Sequence, residues 1–227
     1  MTALSPKPQS LIPVIAIDGP SASGKGTVAQ LVATELGFHY LDSGALYRIV
    51  ALASQQQKIA WSDAAAVALC AKSLLIAFEH EQIFLNHQDV TNDIRTEAIG
   101  KGASQVAVHA SLRQALIEIQ HGFCKAPGLV ADGRDMGTVI FPNAQLKVFL
   151  TATTEVRASR RYQQLINKKQ EANYDDILQD LLERDARDQN RASSPLIMAD
   201  DGVLLETDNL TIFQAVRFVL EKYQRFI

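Results

Sequence analysis

The sequence predicts an α/β fold of three layers, with a parallel five-stranded sheet covered by helices on both faces. Three observations lead there. Short apolar runs of strand length alternate with helical stretches over most of the 227 residues. A glycine-rich turn lies between the first apolar run and the first helix, the setting of a phosphate-binding loop. A later apolar run, Leu129-Val130-Ala131-Asp132, ends in an acid at the edge where ligands of such sheets sit.

The elements follow in order. Val14-Ile15-Ala16-Ile17 is uniformly apolar and reads as a strand buried on both faces. Lys25–Leu36 carries helical periodicity and stops at Gly37. Phe38–Leu41 is a second strand, after which Asp42 or Ser43 caps a helix running to about Ala53. Asp63–Ala71 is alanine-rich and helical. Leu74–Phe78, Gln82–Leu85 and Gln88–Val90 are short strand-like runs, the first two joined by Glu79-His80-Glu81, and form a small antiparallel insert. Arg95–His109 and Ala110–Lys125 read as helices. After Leu129–Asp132, Leu146–Leu150 supplies a fourth parallel strand. Thr154–Lys168 and Tyr174–Asn190 are charge-rich helices, Val203–Glu206 is the fifth strand, and Thr211–Phe226 is the closing helix.

Composition narrows the function. Hydrophobic residues make up 47% and charged residues 21%, an ordinary balance for a globular protein of one domain with insertions. The net charge of −3 argues against a general nucleic-acid binder. No apolar run approaches the ~18 residues of a membrane span. Met1–Ser10, with two prolines and one lysine, reads as a loose tail rather than a secretion signal, so a cytoplasmic protein is expected. Cys70 and Cys124 stand in no metal-ligand spacing and read as small buried thiols of a reducing compartment.

The central motif is Gly19-Pro20-Ser21-Ala22-Ser23-Gly24-Lys25-Gly26-Thr27. Small residues let the backbone curl around phosphate oxygens, and the helix N-terminus adds partial positive charge. Lys25 then reaches the β- and γ-phosphates. The general pattern places Ser or Thr directly after the lysine, whereas Gly26 stands here and Thr27 follows. Thr27 is therefore read as a phosphate contact rather than a metal ligand.

Four segments in order resemble the bacterial cytidylate kinases, a family of P-loop nucleoside monophosphate kinases: the G-x-x-x-x-G-K-G-T loop, Leu41-Asp42-Ser43-Gly44-Ala45-Leu46-Tyr47-Arg48, Ala131-Asp132-Gly133-Arg134-Asp135-Met136-Gly137-Thr138, and Glu183-Arg184-Asp185-Ala186-Arg187-Asp188-Gln189-Asn190-Arg191. The resemblance runs from about Val14 to the C-terminus. It implies a core of residues 12–42, 126–154 and 190–227, a CMP-binding region of 43–125 that includes the insert at about 72–102, and a lid with its adjoining helix at 155–189.

The resemblance also assigns residues. Gly19 to Thr27 would bind ATP, with Mg²⁺ bound alongside and organised by Asp132 through waters. Ser43, Arg48, Ser104, Arg113, Arg134, Asp135, Arg184, Asp188 and Arg191 would bind CMP: Arg48 and Arg113 at the phosphate, Ser43 and Ser104 near the base. Asp135 can accept from the cytosine 4-amino group, where uracil offers an acceptor and is repelled. Arg134 and Asp135 read as an adjacent donor–acceptor pair.

Six of the twelve arginines fall between Arg157 and Arg191, a density that implies a local anion site. Arg157 and Arg161 share one helix face, as do Arg184 and Arg191. By resemblance Arg157–Gln170 is a mobile lid over ATP, and Arg184 and Arg191 clamp the transferring group. Asp188 positions the ribose or Arg184. Lys25, Arg157, Arg184, Asp188 and Arg191 are then the catalytic set, while Arg187 reads as a solvated helix residue.

The expected reaction is in-line transfer of the ATP γ-phosphoryl group to the phosphate of CMP or dCMP by a monomeric enzyme. The acceptor phosphate is already largely ionised at neutral pH, so no general base is nominated. One alternative is a related kinase for UMP or AMP. A nucleotide switch would need N-K-x-D, and Asn167-Lys168-Lys169-Gln170 fails at its last position. Nucleic-acid binding through the arginine-rich helices is weakened by the lack of interleaved aromatics, with only Tyr162 nearby.

Overall fold

A computed structural model describes residues 12–79 and 82–226, without the side chain of Glu79. His80 and Glu81, expected to join the first two strands of the insert, and Met1–Ser10, expected to be a loose tail, lie outside the described residues. In chain order the elements are β1 (Val14–Asp18), α1 (Lys25–Leu36), β2 (His39–Asp42), α2 (Ser43–Gln56), α3 (Ala64–Lys72), β3 (Ile76–Glu79), β4 (Gln82–Leu85) and β5 (Gln88–Asp89). There follow α4 (Glu97–Val106), α5 (Ala110–His121), β6 (Leu129–Gly133), β7 (Leu146–Thr151), α6 (Thr154–Asn167), α7 (Tyr174–Asn190), β8 (Val203–Glu206) and α8 (Ile212–Tyr223).

Five strands form a parallel sheet in the order β2-β6-β1-β7-β8. The central strand β1 is apolar until its last residue because both faces are covered, and side-chain alternation divides it between two cores. Val14 and Ala16 join Leu41, Leu129 and Ala131 under α2, α4 and α5. Ile15 and Ile17 join Val130, Val148 and Leu150 under α1 and α8. The expected insert is present as an antiparallel sheet, β3-β4-β5, with Phe84 opposite Ala77. Ile83 and Leu85 of β4 turn into the α2 core and seat the insert there.

Local signals explain most boundaries. Asp42 caps α2 by accepting from the Ala45 N–H at 3.0 Å, and Asn173 caps α7 by accepting from Asp175 at 2.8 Å. Thr211 and Gln214 cap α8 reciprocally. The expected helix Arg95–His109 is broken, because Thr96 is extended and its hydroxyl caps a new helix, α4, at Ile99; Asp93–Arg95 forms only a 3₁₀ turn. Helix α5 stops at His121, short of the expected Lys125. Met136–Ile140, without assignment in the sequence, forms one wide π-type turn after β6. Cys70 is buried and Cys124 only half-buried, both as free thiols.

This sheet places three connections at the carboxyl ends of adjacent strands: the glycine-rich loop after β1, the Arg134–Asp135 turn after β6, and the β2–α2 junction at Asp42–Ser43. Gly19 makes the first of them possible, since a Cβ there would lie 1.9 Å from the Leu150 carbonyl oxygen of β7. The obstacle is backbone, which cannot rotate aside. Gly19→Ala is therefore expected to destabilise the fold by about 2 kcal/mol, seen as a lower urea midpoint at unchanged m-value. A midpoint equal to wild type would show that the loop does not depend on this close approach.

Candidate active site

A cavity of about 680 Å³ opens at the carboxyl edge of the sheet. Its walls are the glycine-rich loop, the start of α2, one face of α4, the Arg134–Asp135 turn, and α6, α7 and α8. Nine Lys or Arg side chains and six carboxylates line it, although the whole chain is mildly acidic. The positive excess is thus local to the cleft.

At one end the loop enters α1 through Gly24, which is left-handed at φ 89° and provides no side-chain cap. The N–H groups of the first turn are left for an anion. Ser21 to Thr27 line the cavity, whereas Gly19 and Pro20 lie behind its wall and shape the loop against β7. Lys25 Nζ stands 3.9 Å from Asp132 Oδ2. Burial pushes the lysine down and the carboxylate up from their usual values, and their attraction opposes both shifts. Tyr40 donates to the other Asp132 oxygen at 2.8 Å, fixing its orientation.

The residues present fit a magnesium ion carried in on phosphates. Among the described residues no group of three or more His, Cys, Asp or Glu could hold a metal alone. Asp132 is a single buried carboxylate beside Gly26, where a Cβ would lie 3.7 Å from its Oδ2. Mg²⁺ characteristically keeps several waters and takes one or two carboxylates plus substrate phosphates.

The opposite end has a different chemistry. Ala103 and Ser104 of α4, Ala107 just after it, and Tyr47 of α2 make a mostly apolar slot. Arg113 reaches it from α5, ion-paired to Asp135, donating to the Ala107 carbonyl at 3.2 Å and lying 5.5 Å from the Tyr47 ring centre. Ser43 is buried against Gly133 at the floor of the cavity. Arg134 and Asp135 do not bond to each other. Arg134 Nε donates to Asp188 at 2.7 Å and its Nη2 to Ser21 Oγ at 2.7 Å, so one guanidinium links α7 to the phosphate loop. Asp188 consequently holds Arg134, not Arg184, and stands 3.9 Å from Arg191.

Arg48, Arg184 and Arg191 also line the cavity. Arg184 has no ion pair or side-chain hydrogen bond among the described residues, and burial followed by the charges of Arg134 and Arg48 lowers its pKa to about 10. Arg48 donates to the Ile94 carbonyl at 2.8 Å, which aims the side chain without neutralising it. Arg191 donates to the Ser194 carbonyl at 2.5 Å, while its buried Nη2 has no partner among the described residues. An unpaired buried guanidinium is costly unless an anion arrives.

One arginine stands elsewhere than the sequence suggested. Arg157 does not line the cavity; it is buried, paired to Asp185 at 2.5 Å, and donates to the carbonyls of Ser21 and Ala152. Every branch of its guanidinium is engaged, so it props the loop from behind. Arg160 takes the place at the cavity instead, donating to the Ser23 carbonyl at 3.4 Å and to Thr207. Arg187 is partly solvated and paired along its helix with Glu183, as expected, and it also donates to Ser104 Oγ at 2.6 Å. Sequence reasoning also passed over the patch of Thr207, Leu210, Thr211, Ile212 and Ala215 beyond Arg160. Its only signal was the capping pair at Thr211 and Gln214, which marks a helix start and not a site.

Three comparisons bear on this geometry. The family model described as cytidylate kinase matches residues 15–225. A curated relative from Polynucleobacter asymbioticus, described as a cytidylate kinase, is 59% identical over 218 residues, covering 96% of this chain and 99% of that protein. One from Burkholderia multivorans, with the same description, is 57% identical over 220 residues, covering 97% and 96%. The solved structure of an uncharacterized protein from Eubacterium ventriosum is only 10% identical but shares the fold, with a TM-score of 0.51 over 93% of this chain and 98% of that one. With a family model spanning nearly the whole sequence and relatives of such identity, the chain belongs to the cytidylate kinase family.

Proposed function

We propose that the protein transfers the γ-phosphoryl group of ATP directly to the phosphate of CMP or dCMP, giving CDP or dCDP and ADP. The observation that carries this reading is Arg184, a cation near Arg134 and Arg48 with no ion-paired carboxylate among the described residues, in a cavity that also holds a phosphate loop and an apolar slot. Such a cluster is stabilised by a second anionic group brought next to the triphosphate, and a phosphate acceptor is that group.

In this reading ATP lies along Ser21–Thr27, with its purine against Leu210, Ile212 and Ala215. Lys25 neutralises the β- and γ-phosphates. Asp132 would hold Mg²⁺ through water, and the ion would supply charge neutralisation between the phosphates. CMP enters from the other end, with its base between Tyr47 and Ala103–Ala107 and its phosphate on Arg48, Arg184 and Arg191. Asp135, oriented by Arg113, accepts from the 4-amino group of the base. The acceptor oxygen is already ionised, so the residues bind, align and neutralise rather than remove a proton. Helices α6 and α7, which bring Arg160, Arg161 and Arg184 to the cavity, act as the lid and adjoining helix that keep water from the γ-phosphate.

The test supplies Mg·ATP with CMP, dCMP, UMP and AMP in turn and measures ADP release. CMP and dCMP are expected to be the best acceptors, and UMP or AMP in first place would overturn the substrate assignment. Lys25→Met is expected to lower kcat by several orders of magnitude, about 10³-fold or more, with little change in CMP affinity; near-normal turnover would remove Lys25 from the mechanism. A triphosphate beside Lys25 raises the lysine pKa that burial has lowered. ATP binding at mildly alkaline pH should therefore take up protons, seen as a buffer-dependent binding enthalpy absent from Lys25→Met. Asp135→Ala should erase the preference for CMP over UMP. It also strands Arg113, so a stability loss of about 3–5 kcal/mol accompanies the change.

A further inference from the structure

Arg187 does not line the nucleotide cavity but bonds to a residue that does. It stands on α7, and its Nη1 donates to Ser104 Oγ on α4 at 2.6 Å. It also stands 3.9 Å from Glu183 on the same helix, with both side chains substantially exposed. An exposed pair of that kind contributes little. The close contact is the one across the chain to Ser104, which is 8% exposed and faces the slot with Ala103 and Ala107.

The direction of this bond is fixed by chemistry. A guanidinium has only donors, whereas a hydroxyl can donate or accept. Ser104 Oγ must accept from Arg187, and no described residue receives its hydroxyl hydrogen. That acceptance occupies one of the two Oγ lone pairs and turns the hydroxyl hydrogen away from the cationic guanidinium, which leaves the hydrogen for a group in the slot. On the edge of a pyrimidine next to the 4-position, cytosine carries a bare N3, an acceptor, while uracil carries N3–H, a donor. A hydroxyl held as a donor suits the first and opposes the second.

We propose that Arg187 is a specificity-determining positioning residue: by donating to Ser104, it holds that hydroxyl as a donor toward N3 of cytosine. The inference rests on the reading of the Ser104–Asp135 end of the cavity as the base pocket. Asp135 and Ser104 would then read two neighbouring atoms of one edge, the first as acceptor and the second as donor. Uracil reverses both positions, so each contact turns unfavourable for it. Without Arg187 the Ser104 hydroxyl can rotate and accept from uracil N3–H, and half of the discrimination disappears.

The experiment measures kcat/KM for CMP and for UMP at saturating Mg·ATP in wild type, Arg187→Met, Arg187→Lys, Ser104→Ala and the Ser104→Ala/Arg187→Met double variant. Arg187→Met is expected to reduce the CMP-to-UMP ratio about tenfold, the effect of one hydrogen bond. The change should appear in KM for CMP, with KM for ATP unaltered. Arg187→Lys, whose ammonium also only donates, should keep most of the ratio. In the Ser104→Ala background Arg187→Met should change the ratio less than about twofold, because the group it acts through is gone. An unchanged ratio in Arg187→Met, or an equal fall in both backgrounds, overturns the inference while leaving the acceptor assignment intact. A wild-type enzyme with no preference for CMP over UMP overturns the acceptor assignment and this inference together.

Discussion

The carboxylate of Asp18 ties together the two turns on which the site is built. It is the last residue of the central strand, directly before the phosphate loop, and its oxygens accept from the backbone N–H groups of Met136 and Gly137 at 2.8 Å each. Those N–H groups follow Arg134 and Asp135. One buried side chain therefore fixes the position of the loop after β1 relative to the turn after β6. Burial pushes its pKa up to about 6 against the pull of the two N–H groups, so the protein bears a real desolvation cost to keep the tie. Parallel pairing of β1 with β6, Asp18 opposite Gly133, sets the strands level; Asp18 then sets their turns.

Most of the charge in the cleft is arranged as pairs that bridge separate elements. Arg113 joins α5 to the Asp135 turn, Arg134 joins that turn to α7 and the phosphate loop, and Glu97 and Lys101 of α4 meet Arg161 of α6 and Asp180 of α7. Glu97, Lys101 and Ser104 lie at successive turns of α4, so one face of that helix carries three contacts to α6 and α7. Against this background the lack of an ion-pair partner for Arg184 among the described residues is informative. A kinase that joins two anions must hold a positive surplus between them, and unpaired guanidinium groups provide it without an ammonium's heavy hydration.

The parallel sheet and the phosphate loop were legible because their signals are local. Uniformly apolar runs mark strands covered on both faces, and Gly, Lys and a strand–helix setting mark the loop. Helix starts followed side-chain caps at Asp42, Asn173 and Thr211. The break at Thr96 was missed because the amphipathic pattern runs through it, and only the extended backbone of that residue reveals the cap. The wide turn at Met136–Ile140 was missed because it depends on Asp18, far away in sequence.

The arginines mark the division most clearly. Their density between Arg157 and Arg191 predicts an anion site, since such crowding of like charge is tolerated only where an anion can relieve it. Which guanidinium faces the ligand depends on partners supplied by other elements. Arg157 is occupied by Asp185 and two carbonyls, Arg134 by Asp188 and Ser21, Arg187 by Ser104, and Arg184 by no described group. The sequence by itself determined the α/β layers, the phosphate loop and the presence of a basic cleft, because periodicity and spacing are properties of neighbouring residues. The tertiary structure alone decided the role of each charged side chain, because a hydrogen-bond partner distant in sequence determines whether a group is consumed in the scaffold or left free for a ligand.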